Sequence, residues 1–253
     1  MKNLRNFILL IAMFSMTSCL DIVEELSLKK NGTGKYVLTM DMSALMEEGM
    51  KDMLKGMAEQ EGEGDVLADM PSELDTILYF ADASDSIKSK FQHPEILKNI
   101  AFRTQISESN KIMKMTFSIN FDKIKEVDYF LADLDKMQGE SGGGMPGLGG
   151  GGGLFPSAEG TEGLFKLAKK RKLTRFSPPT AETLEMENEE LQMMKMFFSE
   201  ASYTTIYNLP GKVKKTSIPN ATVEGKKLIL ITPLMDIIEG KADLGGDICF
   251  KRR

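Results

Sequence analysis

Several stretches of this chain alternate apolar and polar residues, and others repeat apolar residues at helical spacing. From Lys35 to Asp41, Tyr36, Leu38 and Met40 fall on one side and Val37 and Thr39 on the other, the period-two pattern of a strand. Ile22 to Leu28 reads as its partner, because Asn31-Gly32-Thr33-Gly34 between them supplies a turn with glycine where positive φ is needed. A second hairpin is predicted over Ile100–Ser107 and Ile112–Phe121. It turns at Glu108-Ser109-Asn110-Lys111, and Met113, Met115, Phe117, Ile119 and Phe121 share one face. Further along, Tyr203–Asn208 reads as a strand that ends at the turn Leu209-Pro210-Gly211. Thr222-Val223 and Lys227–Ile231 form another hairpin around Glu224-Gly225-Lys226, and Asp247–Phe250 is a closing strand.

Helical spacing governs the segments between. Ser43 is placed as an N-cap, and Ala44 to Ala58 is predicted to be a helix. Met42, Met46, Met50, Met53 and Met57 recur there at intervals of four, four, three and four, forming one apolar stripe with Leu45 and Leu54. Pro71–Phe80 and Pro94–Asn99 read as short helices, each opened by a proline suited to a first turn. Asp122–Met137 carries Ile124, Val127, Leu131 and Leu134 on one side. Ala181–Phe198, after Thr180, carries Leu184, Leu191, Met194 and Phe198, and Met235–Gly240 is a short helix.

Two segments break the pattern. Glu59 to Asp65 is an acidic loop interrupted by glycines, and residues 139–163 hold a glycine-dense tract that cannot sustain a helix or a strand. No Gly-Lys-Ser/Thr follows that tract, so it is not a phosphate loop and reads as a flexible linker. Leu164–Phe176 is a basic strand or pair of strands with Lys166, Lys169, Lys170, Arg171, Lys172 and Arg175. The expectation is therefore an α+β fold: an antiparallel sheet built from hairpins, with amphipathic helices on one face, interrupted by the glycine-rich linker 139–163. Residues 19–253 would make one such domain, with two subdomains split at the linker as the alternative.

The first residues give an address. Lys2 and Arg5 precede the apolar run Phe7 to Phe14, and Met16-Thr17-Ser18 lead into Cys19. The run is short of the roughly 20 apolar residues of a membrane span and reads as a secretory signal over residues 1–18. Its end resembles the lipobox of bacterial lipoproteins, which implies that Cys19 is acylated and becomes the mature N-terminus. The membrane would then be a partner through that lipid, and the expected location is the cell envelope, on the periplasmic side of the outer membrane. The 253-residue chain is 42% hydrophobic and 27% charged, as in globular proteins, with a formal net charge of −5 that argues against nucleic acid as a partner. Of the two cysteines, Cys19 would be acylated, so no internal disulfide can form, and Cys249 reads as a buried strand thiol.

Two places resemble a known family. The strand–Gly32-Thr33-Gly34–strand unit follows the lipidated cysteine directly. Late in the chain, Tyr203 to Val213, with Leu209-Pro210-Gly211 inside it, is followed by Val223 to Ile231. Both are similar to the LppM-like family of envelope lipoproteins. The resemblance implies an antiparallel α+β domain of a kind linked to binding lipids or glycolipids, and it carries over no binding residue.

Candidate chemistry is sparse. His93 is the sole histidine and stands beside no G-x-S-x-G signature, so it reads as a surface loop residue. Too few His and Cys are present for a zinc site, and no cofactor or catalysis is expected. The methionine stripe admits three readings: a core-facing helix, an adaptable apolar groove through Met46, Met50, Met53 and Met57, or a thioether site for Cu(I). Lys169, Lys170, Arg171 and Lys172 could meet anionic headgroups, or could be the solvated face of an edge strand. Two functions follow: an envelope protein that binds an apolar ligand, lipid or partner protein, or a scaffold that recruits an envelope partner.

Overall fold

The computed structural model describes residues 20–47, 51, 70–140, 163–169, 171–177, 195 and 198–251. Alternation governs most of them. Strand β1 (Asp21–Leu28) buries every second residue, and β2 (Gly34–Asp41) does the same through Tyr36, Leu38 and Met40. The turn between them closes with Lys29 N–H on Thr33 O at 2.8 Å and with Gly32 at φ 94°. Gly34 is needed for a second reason. A Cβ there would lie 2.2 Å from Ser27 O and 2.5 Å from the Phe121 ring, which crosses the glycine from the neighbouring strand.

The other strands are β3 (Glu73–Tyr79), β4 (Ile100–Ser107), β5 (Ile112–Phe121), β6 (Phe165–Ala168), β7 (Lys172–Arg175), β8 (Ser202–Asn208), β9 (Val213–Thr216), β10 (Thr222–Glu224), β11 (Lys227–Pro233) and β12 (Gly246–Phe250). They form an eight-stranded sheet in the order β10-β11-β8-β1-β2-β5-β4-β3 and a four-stranded sheet in the order β6-β7-β12-β9. Helices are few among the described residues: α1 (Asp85–Lys88), α2 (Lys125–Glu140), α3 (Leu234–Ile238) and short 3-10 turns at Ser43–Met46, Phe80–Asp82 and Pro94–Asn99.

The α+β expectation is thus corrected. The described protein is mostly β, with twelve strands in two sheets. The large sheet is mixed rather than antiparallel, because β1 runs parallel to β8. Strand alternation and hairpin turns determine local pairing, but neither reveals that the first strand takes a second neighbour from the far end of the chain. Pro71–Phe80 is another correction: it holds strand β3. Leu74 and Leu78 satisfy helical and strand periods alike, and pairing with β4 from Glu73↔Ser107 to Tyr79↔Ala101 decides between them. Ser43 caps no helix. Its hydroxyl donates to Asp41 Oδ1 at 2.5 Å and accepts the Met113 N–H at 3.1 Å, pinning the end of β2 to β5. Of the predicted helix Ala44–Ala58, residues 44–47 and Lys51 are described; the rest lies outside the described residues, as do most of the linker 139–163 and of Ala181–Phe198. Cys249 is half-exposed instead of buried, because β12 turns its neighbours Ile248 and Phe250 inward.

The core lies between the two sheets. From the small sheet, Phe165, Leu173, Ile248 and Phe250 join Ile22, Leu26, Tyr36, Leu38 and Tyr207 of the large one. Helix α2 adds Val127, Phe130, Leu131 and Leu134, with the Phe130 ring edge-on to Tyr36 at 6.2 Å. The helix is tied to β6 through Asp128, whose Oδ1 accepts the N–H groups of Leu164 at 2.8 Å and Phe165 at 3.3 Å. Burial raises the Asp128 carboxyl to about 6, against the pull of those two N–H groups.

A carboxyl with a raised pKa favours folding most when protonated. The Asp128 contribution should be complete below about pH 4, the range of a carboxyl in the unfolded chain, and should be lost as pH rises through 6. Asp128→Asn keeps an acceptor oxygen for Leu164 and cannot ionise. The stability of wild type relative to this variant should therefore fall by about 1–2 kcal/mol between pH 4.5 and 7. Urea unfolding of both proteins at the two pH values checks this, and a pH-independent difference would count against it.

Candidate functional site

Period-two burial on β1 brings an acid inside. Glu24 sits between Ile22 and Leu26 on the inward face and is fully buried. Across the core, the alternation on β7 turns Leu173 and Arg175 inward, and Arg175 Nη1 donates to Glu24 Oε2 at 2.5 Å with both side chains fully buried. Three tyrosines on the large sheet complete the cluster. Tyr36 and Tyr203 hydroxyls donate to Glu24 Oε1 and Oε2 at 3.2 and 2.8 Å, while Tyr207 accepts from Arg175 Nη1 at 3.1 Å. Thr205 lies at the margin of hydrogen bonding, 3.5 Å from both charged groups. The Phe165 ring lies under the guanidinium at 5.7 Å.

The electrostatics follow from burial. Desolvation, reinforced by the charge of Glu24, lifts the Tyr36 and Tyr203 hydroxyls well above their usual range. Tyr207 is pushed up to about 12, with burial opposed by Arg175. Burial by itself would lower Arg175, but Glu24 and the tyrosines outweigh it and hold the guanidinium well above its ordinary value. The tyrosines stay neutral, Tyr36 and Tyr203 as donors to Glu24 and Tyr207 as an acceptor from Arg175.

The register places this cluster in a longer line. Leu230, Thr205, Glu24, Leu38, Phe117, Phe102 and Leu78 are successive partners on seven neighbouring strands, all on the inward face. Burial changes along it. Leu230 to Leu38 are sealed beneath the second layer, Phe117 and Phe102 are half-buried and stacked at 4.6 Å, and Leu78 on the edge strand is 37% exposed. The inward face therefore emerges towards solvent at the β5-β4-β3 end as an apolar floor. Met115 extends that floor, and the turn bearing Met46 packs beside it on β5.

The residues picked out from the sequence fare differently. Met46 is buried against the core, while Met50, Met53, Met57, Lys170 and Cys19 lie outside the described residues. Lys169, at φ 48°, and Arg171 are exposed at the β6–β7 turn, whereas Lys172 pairs with Asp247 at 2.9 Å. His93 is held rather than free. Its ring stacks on Tyr129 at 4.0 Å, and Nδ1 lies 3.3 Å from Asp133, a fully buried carboxylate that also accepts the Gln92 and His93 N–H groups. Glu24 was missed by sequence reasoning, as was the inward role of Arg175, which was counted with the basic run. The signal was available in each case: a charge at an inward position of an alternating strand, Ile22-x-Glu24-x-Leu26 and Leu173-x-Arg175.

No family model and no curated protein matches the chain. Among solved structures it is weakly similar to the folded domain of the LppM protein of Mycobacterium tuberculosis, determined by NMR. The TM-score is 0.35 at 7% identity, over 94% of this chain and 92% of that one. Among the described residues, no helix is long and apolar enough to cross a membrane.

Removing one member of a buried ion pair leaves the other uncompensated. Glu24→Gln and Arg175→Met should each destabilise the protein by about 3–5 kcal/mol. The double variant Glu24→Gln/Arg175→Met should recover much of that loss, since neither charge of the pair then remains and the amide oxygen still accepts from the Tyr36 and Tyr203 hydroxyls. Denaturant midpoints of the three variants test the coupling; additive losses would refute it.

Proposed function

We propose that this chain is a lipid-anchored protein of the bacterial cell envelope, held on the periplasmic side of the outer membrane, whose two-layered body takes an acyl chain on the emerging end of its inward sheet face. The observation that carries this reading is the burial gradient along one register line, from sealed Leu38 to half-buried Phe117 and Phe102 and exposed Leu78. An apolar floor continuous with the core but open at one end suits an elongated apolar ligand. The Met1–Cys19 segment supports the anchor. Strand β1 starts at Asp21, two residues beyond Cys19, so a lipid there would hold the sheet within about 10 Å of the bilayer surface.

The scaffold reading draws on a different observation. Ile77 and Tyr79, 49% and 54% exposed, face away from the floor on the edge strand β3, where a partner strand could add. Binding separates the two. Wild type should bind a fluorescent fatty-acyl probe saturably, and Leu78→Asp should weaken that binding about tenfold while changing stability by about 1 kcal/mol or less. Absence of saturable binding by wild type would reject the acyl reading in favour of the scaffold. The anchor has its own test: Cys19→Ala should abolish incorporation of labelled fatty acid and detergent partitioning, and unchanged partitioning would refute it.

A further inference from the structure

Each sheet ends in two edge strands, whose outer N–H and C=O groups meet no neighbouring strand among the described residues. Three of these edges are short and carry lysine. Strand β10 is three residues long and is followed by Lys226 and Lys227, β6 carries Lys166, and β9 carries the exposed Lys214 and Lys215. Strand β3 has no such protection. It runs for seven residues without lysine, proline or bulge, and six of the seven are exposed, Ile77, Leu78 and Tyr79 among them. Its two acids are turned back onto their own sheet. Asp75 takes Arg103 Nε and Nη2 at 2.8 and 2.7 Å, and Glu73 accepts the Ser107 and Ser109 hydroxyls at 3.0 and 2.8 Å.

We propose that a second copy of this chain adds to β3 in antiparallel pairing, about a two-fold axis at Thr76. This rests on the edge-strand reading above, for which it names the partner, and it is independent of the acyl reading. Backbone direction and side-chain order select the register. The Glu108 N–H donates to Ser72 O at 2.8 Å, so by alternation the even-numbered residues of β3 bond β4. The odd-numbered Glu73, Asp75, Ile77 and Tyr79 then aim their N–H and C=O groups outward. Pairing about Thr76 sets Glu73 against Tyr79 and Asp75 against Ile77 of the second copy, so every outward group finds a partner. On the inward face it sets Leu74 against Leu78 and Thr76 against Thr76, both favourable cross-strand pairs. The two Asp75 carboxylates lie diagonally, each held by its own Arg103. Moving the axis to Asp75 or Leu74 would put acid directly opposite acid, and moving it to Ile77 would set Glu73 against the turn Phe80–Asp82. The axis stands perpendicular to the sheet, so the two inward faces lie on one side and the floor ending at Leu78 continues into Leu74 of the second copy.

Disulfide trapping in the full chain tests the register, with Cys249→Ser as the background whose own conjugates are subtracted. Across the axis Thr76 faces its copy in a pair without backbone hydrogen bonds, where Cα atoms stand about 4.5 Å apart, within reach of a disulfide. Thr76→Cys should therefore link to itself under mild oxidant at least about tenfold more than Leu78→Cys, whose two copies would be about 14 Å apart. Leu74→Cys and Leu78→Cys should link to each other when produced together, and neither to itself. One strand pair is a small interface, so a micromolar dissociation constant is expected. Thr76→Lys, which sets two lysines face to face, should raise it about tenfold in sedimentation without moving the urea midpoint. Equal linking of Thr76→Cys and Leu78→Cys would overturn the proposal. Conjugates of Thr76→Cys with a different protein only would overturn self-pairing and leave the edge-strand reading standing, whereas no conjugate at any of the three positions would overturn both. Saturable binding of the fluorescent acyl probe, measured separately, decides the acyl reading whichever way the trapping falls.

Discussion

The Glu24–Arg175 contact is the constraint on which the two layers depend. It joins the first strand of the large sheet to the second strand of the small one, and its tyrosine partners come from β2 and β8. Apolar side chains alone tolerate sliding of one layer over another, since the area they bury changes little with small shifts. A buried charge pair does not, because displacement by even one residue would strand both charges away from water and from each other. The pair thereby specifies how the sheets face one another more than it stabilises them, and the raised tyrosine hydroxyls follow from that arrangement.

Width imposes the second constraint. Eight strands at ordinary spacing span about 34 Å, and among the described residues the turns Phe80–Asp82 and Pro94–Asn99 join the small sheet and α2 in packing against that sheet. Cover is concentrated where Phe165 and Arg175 meet Tyr36 and Tyr207 and where α2 meets β5, and it thins towards β4 and β3. The half-buried Phe102–Phe117 stack is the consequence. An open end built as the continuation of a sealed core differs from a surface patch, because its floor is held rigid by the same sheet that carries the buried polar cluster.

Acidic residues do structural work on α2. Asp128 and Asp133 point into the protein and accept backbone N–H groups, one from the start of β6 and the other from the Gln92–His93 loop. Each carboxylate satisfies donors that the chain could not otherwise pair where it leaves regular structure. His93, stacked on Tyr129 beside Asp133, belongs to this attachment.

The sequence by itself determined the hairpins, the shared faces of β2 and β5, helix α2 and the short α3, because each is written in alternation, turn chemistry or helical spacing between close neighbours. It also carried the lipobox-like ending at Cys19. Only the tertiary structure decided that Glu73–Tyr79 is a strand, that β9 exists, that β1 pairs in parallel with β8, and that a second sheet covers the first. Those features rest on contacts between residues far apart in the chain, which local periods do not encode. The candidate site divides in the same way. An acid at the alternating position of Ile22-x-Glu24-x-Leu26 and a base at that of Leu173-x-Arg175 mark two charges turned inward. That they would meet each other depends on how the two layers pack face to face.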